Sequence, residues 1–291
     1  MISEWAQLCQ DLPNSIVFCL ISPAKSLKPY PPKEEVKLVI HKWWQLLSPA
    51  EVRVVCQSML HQNERSPETL WRDCLLPSLS ANDISFAGFI WDYICHNRSK
   101  LKEKIMEFAC RRSWTKNYLQ DLKAKDFSQD NFGSSVDTLE PSTIQWNLWS
   151  EGILVHSPEH GTELHVATLM VLDMKKAFEH RLWRSQTPLL LPLIDRLRLD
   201  ICQYLTDTYG LDWPKRKKNW PDHSPIPEDP LACELGSLKI VVEDCMPKQK
   251  HLVLCIRIMK SLRNKLAHYS SVEYDDFYHF WSEVKEAGFS L

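Results

Sequence analysis

Apolar residues recur at helical spacing along most of the chain, and this pattern constrains the fold more than any other feature. Spacing of three or four residues places the apolar side chains on one face of a helix. Hairpin-rich sheets need glycine at their turns, but only 7 of the 291 residues are glycine. We therefore expect an all-α protein. The clearest stripe lies in 248–269 and consists of Leu252, Cys255, Met259, Leu262, Leu266 and Tyr269.

Start and stop signals divide the chain into helices. Ser-Pro-Ala-Glu at 48–51 and Ser-Pro-Glu at 66–68 each place a capping serine before a proline, which predicts a helix start. A similar capping box, from serine to glutamate, occurs at 270–273. Gly210 and Gly288 are suited to end helices, because glycine readily adopts the left-handed conformation that closes them.

Two segments fit more than one structure. Residues 82–114 carry a long apolar stripe that fits either two helices or one long helix. Residues 151–171 fit a hairpin around 158–161, or a turn followed by a helix that begins near Glu163. The apolar pattern continues well beyond this segment, which favours the helix. A separate helix is then expected at 188–210.

A polar segment at 123–143 contains Gly-Ser-Ser and lacks a helical stripe, so it predicts a linker. We place a domain boundary between 124 and 145. The expected architecture is two helical parts. The first, 1–140, is a helical domain of unknown role in sensing, docking or regulation, and through it a regulatory protein partner could bind. The second part is 141–291.

Composition excludes several classes of protein. The formal net charge is −2 and the isoelectric point is about 6.6, so any nucleic-acid contact must use a local basic patch. The 10 cysteines lack any C-x-x-C pair, which favours reduced, buried thiols over disulfides or a zinc knuckle. The apolar run at 15–21 is short and follows Glu4 and Asp11. We expect a cytoplasmic protein with no signal peptide and no membrane contact.

Three polar residues interrupt the C-terminal stripe pattern. Asn264 and His268 are four positions apart and share one face of a helix, and Arg263 lies one step around it. One interpretation is a solvated polar face. The other is half of an active site, because arginine and histidine are the side chains that bind phosphate and move protons near neutral pH.

The stretch 187–291 resembles the HEPN superfamily, whose members are compact helical bundles with an Arg-polar-x3-His motif late in the domain. "RNKLAH" at 263–268 matches the motif, with asparagine as the polar residue. "LRLDICQYLTDTYGLDWPK" at 197–215 is similar to the family's earlier helix, and "ELGSLKIVVEDC" at 234–245 to its helix that opens with LGxL. The resemblance covers the last third to half of the chain.

This resemblance implies a HEPN-like bundle in 141–291 that cuts RNA in a defence or toxin-like system. Such ribonucleases use no metal and no cofactor, and the 2′-OH attacks the adjacent phosphate. His268 would then transfer protons, Arg263 would stabilise charge on the phosphate, and Asn264 would orient the histidine or the phosphate. Each chain has one motif, so the resemblance implies a homodimer, or a heterodimer with another HEPN chain, around a composite site.

Two other interpretations of the C-terminal part stay open. In the first, the bundle is a non-catalytic dimerisation or interaction module of a larger complex, and Arg263 and His268 are structural polar residues. In the second, weaker one, the bundle binds a nucleotide without cutting RNA. Side chains tied into their own chain would favour a structural role, whereas exposed side chains with few internal partners would favour catalysis.

The segment 213–220 is a second candidate for RNA contact, because basic residues with flanking aromatics suit phosphate binding and base stacking. The alternative is a solvated loop whose tryptophans pack against the bundle, and we favour it. The residues concerned are Trp213, Lys215, Arg216, Lys217, Lys218 and Trp220.

The segment 156–165 groups three histidines with two glutamates. Their spacing matches no zinc pattern, so we expect a surface loop and no metal site.

Overall fold

The computed structural model describes residues 66–127, 143–157, 161–216 and 228–290, together with 51, 52, 54, 55 and 58. These residues form an all-α fold with one small hairpin, as the sequence predicted. Several predicted features fall outside the described residues. They include the apolar run at 15–21, the serine that opens the helix at 48–51, most of the linker at 123–143, residues 158–160 of the turn, and the basic segment beyond Arg216.

Residues 51, 52, 54, 55 and 58 are helical, and five helices with described bounds follow them before the hairpin. They are α1 (Pro67–Ser80), α2 (Ile84–Ile90), α3 (Arg98–Arg111), α4 (Lys116–Asp121) and α5 (Thr143–Ser150). The hairpin consists of β1 (Leu154–Ser157) and β2 (Gly161–Leu164). Five more helices follow, namely α6 (Val166–Val171), α7 (Lys175–Tyr209), α8 (Leu235–Cys245), α9 (Lys250–Ala267) and α10 (Tyr274–Glu286). Short 3₁₀ turns lie at Trp91–Tyr93, Ala124–Asp126, Trp213–Arg216 and Pro230–Ala232.

Side-chain caps define the first four helix starts. Ser66 accepts a hydrogen bond from the backbone N–H of Thr69 over 3.2 Å, which confirms the predicted start of α1. Asp83, Asn97 and Thr115 cap α2, α3 and α4 in the same way. The segment 82–114 therefore forms two helices, α2 and α3, and not one.

The helix expected to begin near Glu163 begins at Val166 instead, because the hairpin that the sequence also allowed forms before it. Residues 154–157 and 161–164 pair as antiparallel strands, with Leu154 opposite Leu164, and Gly161 takes a φ of 69° beside the turn. Burial alternates along β2, because Thr162 and Leu164 face the core. This two-residue period is the signal of a strand, and the longer helical stripe that follows it concealed it.

Helix α7 is longer than expected, because the predicted start near residue 188 lies inside it. Pro188 and Pro192 are both within the 35-residue helix, where each removes one backbone hydrogen bond at a cost of about 3 kcal/mol. Both prolines lie on the exposed face. Packing of the opposite face offsets that cost, since each fully buried aliphatic side chain contributes about 1.5–3 kcal/mol. Its buried apolar residues on both sides of the prolines are Phe178, Leu182, Leu190, Ile194, Leu197, Ile201 and Leu205.

One core of buried apolar side chains extends across both predicted parts of the chain. Helix α1 packs against α7 and α10, α9 packs against α7, α8 and α10, and α3 packs against α6. Trp71 of α1 stacks on Phe277 of α10, with ring centroids 5.0 Å apart. The division near residue 140 stays a prediction, and these contacts join described residues on either side of it.

A buried histidine begins α6. His165 is completely buried, and its Nδ1 accepts a hydrogen bond from the backbone N–H of Ala167 over 3.1 Å. The rings of Phe86 and Trp114 lie 4.6 and 5.2 Å from the imidazole. Burial lowers the pKa of His165 to about 3, although the Asp83 carboxylate acts in the opposite direction. His165 is therefore neutral in the folded protein at any pH near neutrality.

His165 is expected to make the protein less stable as the pH falls below about 6.5. There the unfolded chain binds a proton at this histidine and the folded chain does not, so acid favours unfolding. Between pH 7 and pH 5 this residue should remove about 2 kcal/mol from the free energy of unfolding. In His165→Asn the amide oxygen can accept the same capping hydrogen bond but does not titrate.

Urea unfolding at pH 5, 6 and 7 provides the measurement. The variant should be less stable at pH 7 because it loses a buried ring, so the informative quantity is the change in the free energy of unfolding between pH 7 and pH 5. This change should be about 2 kcal/mol smaller in the variant than in wild type. Equal changes in both proteins would contradict a neutral, buried His165.

Candidate functional site

The Arg-Asn-x3-His residues lie at the C-terminal end of α9. Arg263 is exposed and Asn264 half-buried on the last turns of the helix, and His268 is its exposed C-cap residue. A single long hydrogen bond of 3.5 Å joins Nη1 of Arg263 to Oδ1 of Asn264. The His268 side chain has no hydrogen bond to another described residue. The arginine and the histidine are therefore available to a ligand.

The backbone at this helix end is fixed. The N–H of Ser270 donates to the Lys265 carbonyl over 2.9 Å, and the N–H of Tyr269 donates to the Leu266 carbonyl over 3.2 Å. With Tyr269 in the left-handed conformation at φ 56°, these bonds form a Schellman motif. His268 is thus held on a closed helix end.

Two predictions for this turn were wrong. Tyr269 does not continue the buried stripe of α9, because the left-handed turn places its ring outside, where the residue is 68% exposed. The capping box at 270–273 does not form either. Ser270 closes α9 through its backbone, its hydroxyl lies 3.5 Å from the His268 carbonyl, and Glu273 is the residue that precedes α10.

Helix α7 supports the same turn. The indole N–H of Trp183 donates to the Leu266 carbonyl over 2.7 Å, and the rings of Trp183 and Tyr269 lie 4.8 Å apart. The ring of His180 lies 5.2 Å from that of Trp183. Two of these aromatic residues come from α7 and were not predicted as part of the site.

The segment that follows the turn is also held by α7. The buried amide of Gln186 donates to the Val272 carbonyl over 2.9 Å and accepts from the Val272 N–H over 2.7 Å. Ser271 donates to the Glu179 carboxylate over 2.9 Å. These bonds satisfy the backbone of a short segment that has no secondary structure of its own.

Helix α3 reaches this segment from the N-terminal part. The guanidinium of Arg98 contacts the carboxylates of Glu179 at 2.7 Å and Glu273 at 2.8 Å. Lys102 adds a second cation beside Glu179, at 3.2 Å. Residues on both sides of the predicted boundary therefore hold the chain that follows His268.

The described part of the second candidate segment, 213–216, begins with a tryptophan that packs into the bundle. Trp213 is fully buried, and its indole N–H donates to Thr206 over 3.0 Å, so its ring cannot stack on a base. This burial favours the alternative in which the tryptophan packs against the bundle. Lys215 is exposed and pairs with Asp212 at 2.5 Å. Arg216 ends the described segment, and Lys217, Lys218 and Trp220 lie outside it.

The segment 156–165 is not a surface loop where the structure describes it. Glu163 lies on β2 and accepts hydrogen bonds from both Arg181 and Arg184 of α7, and His165 is buried. Within 66–127, 143–157, 161–216 and 228–290, no three His, Cys, Asp or Glu side chains form a group that could hold a metal ion.

Comparison with protein-family models, with curated proteins and with solved structures found no match for this chain. None of the helices in the described segments is both long and apolar enough to span a membrane.

Proposed function

We propose that this chain is a metal-independent endoribonuclease of the HEPN type that acts as a dimer. The observation that carries the proposal is the exposure of the Arg263 and His268 side chains on a fixed backbone. Arg263 and His268 have exposed side chains with almost no partners among the described residues, whereas the backbone that holds them is fixed. A structural pair of polar residues would show the reverse arrangement. The resemblance to HEPN proteins also suggests a defence or toxin-like setting.

The chemistry requires two proton transfers around one phosphate. The 2′-oxygen of the substrate attacks phosphorus as it loses its proton, and the bond from phosphorus to the 5′-oxygen breaks as that oxygen gains one. The products are a 2′,3′-cyclic phosphate and a 5′-hydroxyl. The imidazole of a histidine can both accept and donate a proton, so His268 suits either transfer. The Arg263 guanidinium can donate two parallel hydrogen bonds to the phosphate oxygens as their charge grows.

A single motif provides one histidine for these two transfers. A second copy of the motif, related by a two-fold axis, would supply the other proton-transfer group and a second arginine. We therefore propose a homodimer, or a heterodimer with another HEPN chain, in which two α9 helix ends face each other. Asn264 lies within 3.5 Å of the Arg263 guanidinium and would orient it toward the phosphate.

The test is cleavage of end-labelled RNA in the presence of EDTA. Wild type, Arg263→Ala and His268→Ala are compared with His279→Ala, in which an exposed histidine of α10 is removed instead. Wild type and His279→Ala should cut equally, and both motif variants should cut far more slowly. Sedimentation should show that all four proteins self-associate alike.

Two results would contradict the proposal. Equal cutting by all four proteins would place the activity elsewhere. No cutting by any of them, with dimers intact, would favour the non-catalytic interaction module.

A further inference from the structure

An aromatic strip, formed by His180, Trp183 and Tyr269, lies beside the motif, with His180 and Tyr269 exposed and Trp183 half-buried. Neighbouring ring centroids are 5.2 Å and 4.8 Å apart, so Trp183 of α7 links the ring of His180 to that of Tyr269 at the end of α9. Tyr269 is 68% exposed, and it directly follows His268. The proposed cleavage chemistry does not use these rings.

The backbone conformation of Tyr269 keeps its ring exposed. Non-glycine residues rarely take a positive φ, and bulky ones are the least suited to it, yet Tyr269 adopts 56°. In an uninterrupted helix its side chain would continue the buried stripe of α9. The Schellman turn instead places a large aromatic ring in solvent, where it loses the packing that tyrosine usually gains.

The surroundings of the strip suit a nucleic acid better than an apolar protein surface. Arg263 and Lys176 are exposed and have no ion pair with another described residue, and Lys176 lies one helical turn before His180. The acidic residue of that turn, Glu179, is already paired with Arg98 and Lys102. Exposed rings with nearby cations are the combination that binds single-stranded nucleic acid, since bases stack and phosphates pair.

We infer that Tyr269 stacks on an unpaired RNA base next to the phosphate held by Arg263 and His268. The inference rests on the proposed function and extends it, because it assigns a base contact to a residue outside the motif. The base of the nucleotide beside the cleaved bond would stack on the Tyr269 ring, which already packs against Trp183. In a duplex the base is already stacked and paired, so this contact is lost.

Binding measurements can test this without cleavage. All proteins carry His268→Ala, and fluorescence anisotropy follows a labelled unpaired oligonucleotide or a duplex of the same sequence. Tyr269→Asn removes the ring with a residue that tolerates positive φ, and Tyr269→Phe keeps the ring. The control is Tyr278→Ala on α10, where another tyrosine is 51% exposed.

We expect a loss of affinity only for Tyr269→Asn, and only for the unpaired oligonucleotide. Tyr269→Asn should weaken binding of the unpaired oligonucleotide about 5- to 150-fold, the range that corresponds to one stacked base. Tyr269→Phe and Tyr278→Ala should bind within about twofold of the parent, and duplex binding should change little in all of them.

Several results would overturn the inference. Equal binding by Tyr269→Asn would do so, as would equal losses on unpaired RNA and duplex. A change in self-association with unchanged RNA binding would assign the strip to contact between copies of the chain. The two proposals can fail separately. Cleavage that depends on His268, with no effect of Tyr269, would contradict only the stacking. Binding that depends on Tyr269, with no cleavage, would contradict only the ribonuclease activity.

Discussion

Replacing His268 with alanine is expected to lower kcat for RNA cleavage by a factor of about 10² to 10⁴ at neutral pH. The same change should alter the free energy of unfolding by less than about 0.5 kcal/mol, because an exposed residue without side-chain hydrogen bonds contributes little to stability. Alanine at position 268 can adopt the same φ and ψ values and can donate the same backbone hydrogen bonds at the helix end. A large loss of activity without a loss of stability separates a catalytic histidine from a structural one.

Arg263 provides a second, graded measurement on the same site. Arg263→Lys keeps the positive charge but replaces the planar fork with a single ammonium group. Its kcat should therefore lie between the values for wild type and Arg263→Ala. Single-turnover cleavage in EDTA gives the rates, and urea unfolding of each variant gives the stabilities. Equal rates for the lysine and alanine variants would show that charge alone is not what Arg263 supplies.

Normal cleavage rates in both His268→Ala and Arg263→Ala would contradict the assignment of the motif as the active site. So would a loss of activity that follows a loss of stability, because both residues would then be structural. The pH dependence adds an independent criterion. Cleavage by wild type should follow a bell-shaped profile, as expected when one histidine of the dimer is a base and the other an acid, and Arg263→Lys should keep that shape.

Local features of the chain could be predicted from sequence. The stripe from Leu252 to Leu266 places α9 and its polar residues correctly, and Ser66 marks the start of α1. Gly210 ends α7 at the expected position, with a φ of 80°. Each of these depends on residues within a few positions of one another, so the sequence contains the whole signal.

The support of the motif could not be predicted, because it depends on distant residues. Trp183 and Leu266 are 83 positions apart, and Gln186 and Val272 are 86 apart. No spacing rule relates such pairs before the helices are packed. The left-handed turn at Tyr269 is also invisible in sequence, since tyrosine is not a residue that normally marks one.

Deletion of residues 1–140 is not a suitable test of a regulatory role for this part of the chain. Helix α1 packs against α7 and α10, and Arg98 of α3 holds Glu179 and Glu273. Deleting 1–140 would expose the core faces of two helices, so a loss of activity would say nothing about regulation. A regulatory partner of this part would act through contacts such as those of Arg98, which reach the chain directly after the motif.

Replacing Glu163 with alanine is expected to lower the free energy of unfolding by about 3–5 kcal/mol. The carboxylate accepts hydrogen bonds from Arg181 and, at 2.6 and 2.8 Å, from Arg184. The Arg181 side chain is only 6% exposed. Burial lowers the pKa of Arg181 to about 10 even though Glu163 opposes that shift. Without Glu163, the guanidinium would be a buried charge with no carboxylate beside it.

An exposed carboxylate with two cations is the matched control. Glu107 on α3 contacts Lys104 at 2.9 Å and Arg111 at 2.6 Å, so Glu107→Ala removes a similar number of ion pairs in solvent. Because water screens such pairs, its urea midpoint should stay close to that of wild type. A comparable loss in both variants would mean that the number of ion pairs, and not burial, determines the effect.

The double variant Glu163→Leu/Arg181→Met distinguishes a buried charge from lost packing. Apolar side chains of similar size often replace a buried ion pair without loss of stability, because the cost of burying both charges disappears with them. The double variant should therefore be more stable than Glu163→Ala, while Arg184, with a side chain 21% exposed, can turn to water. Urea unfolding at pH 7 compares Glu163→Ala, Glu107→Ala and the double variant with wild type. If the double variant is the least stable, the ion pair itself holds the hairpin on α7, and the uncompensated charge is not the cause.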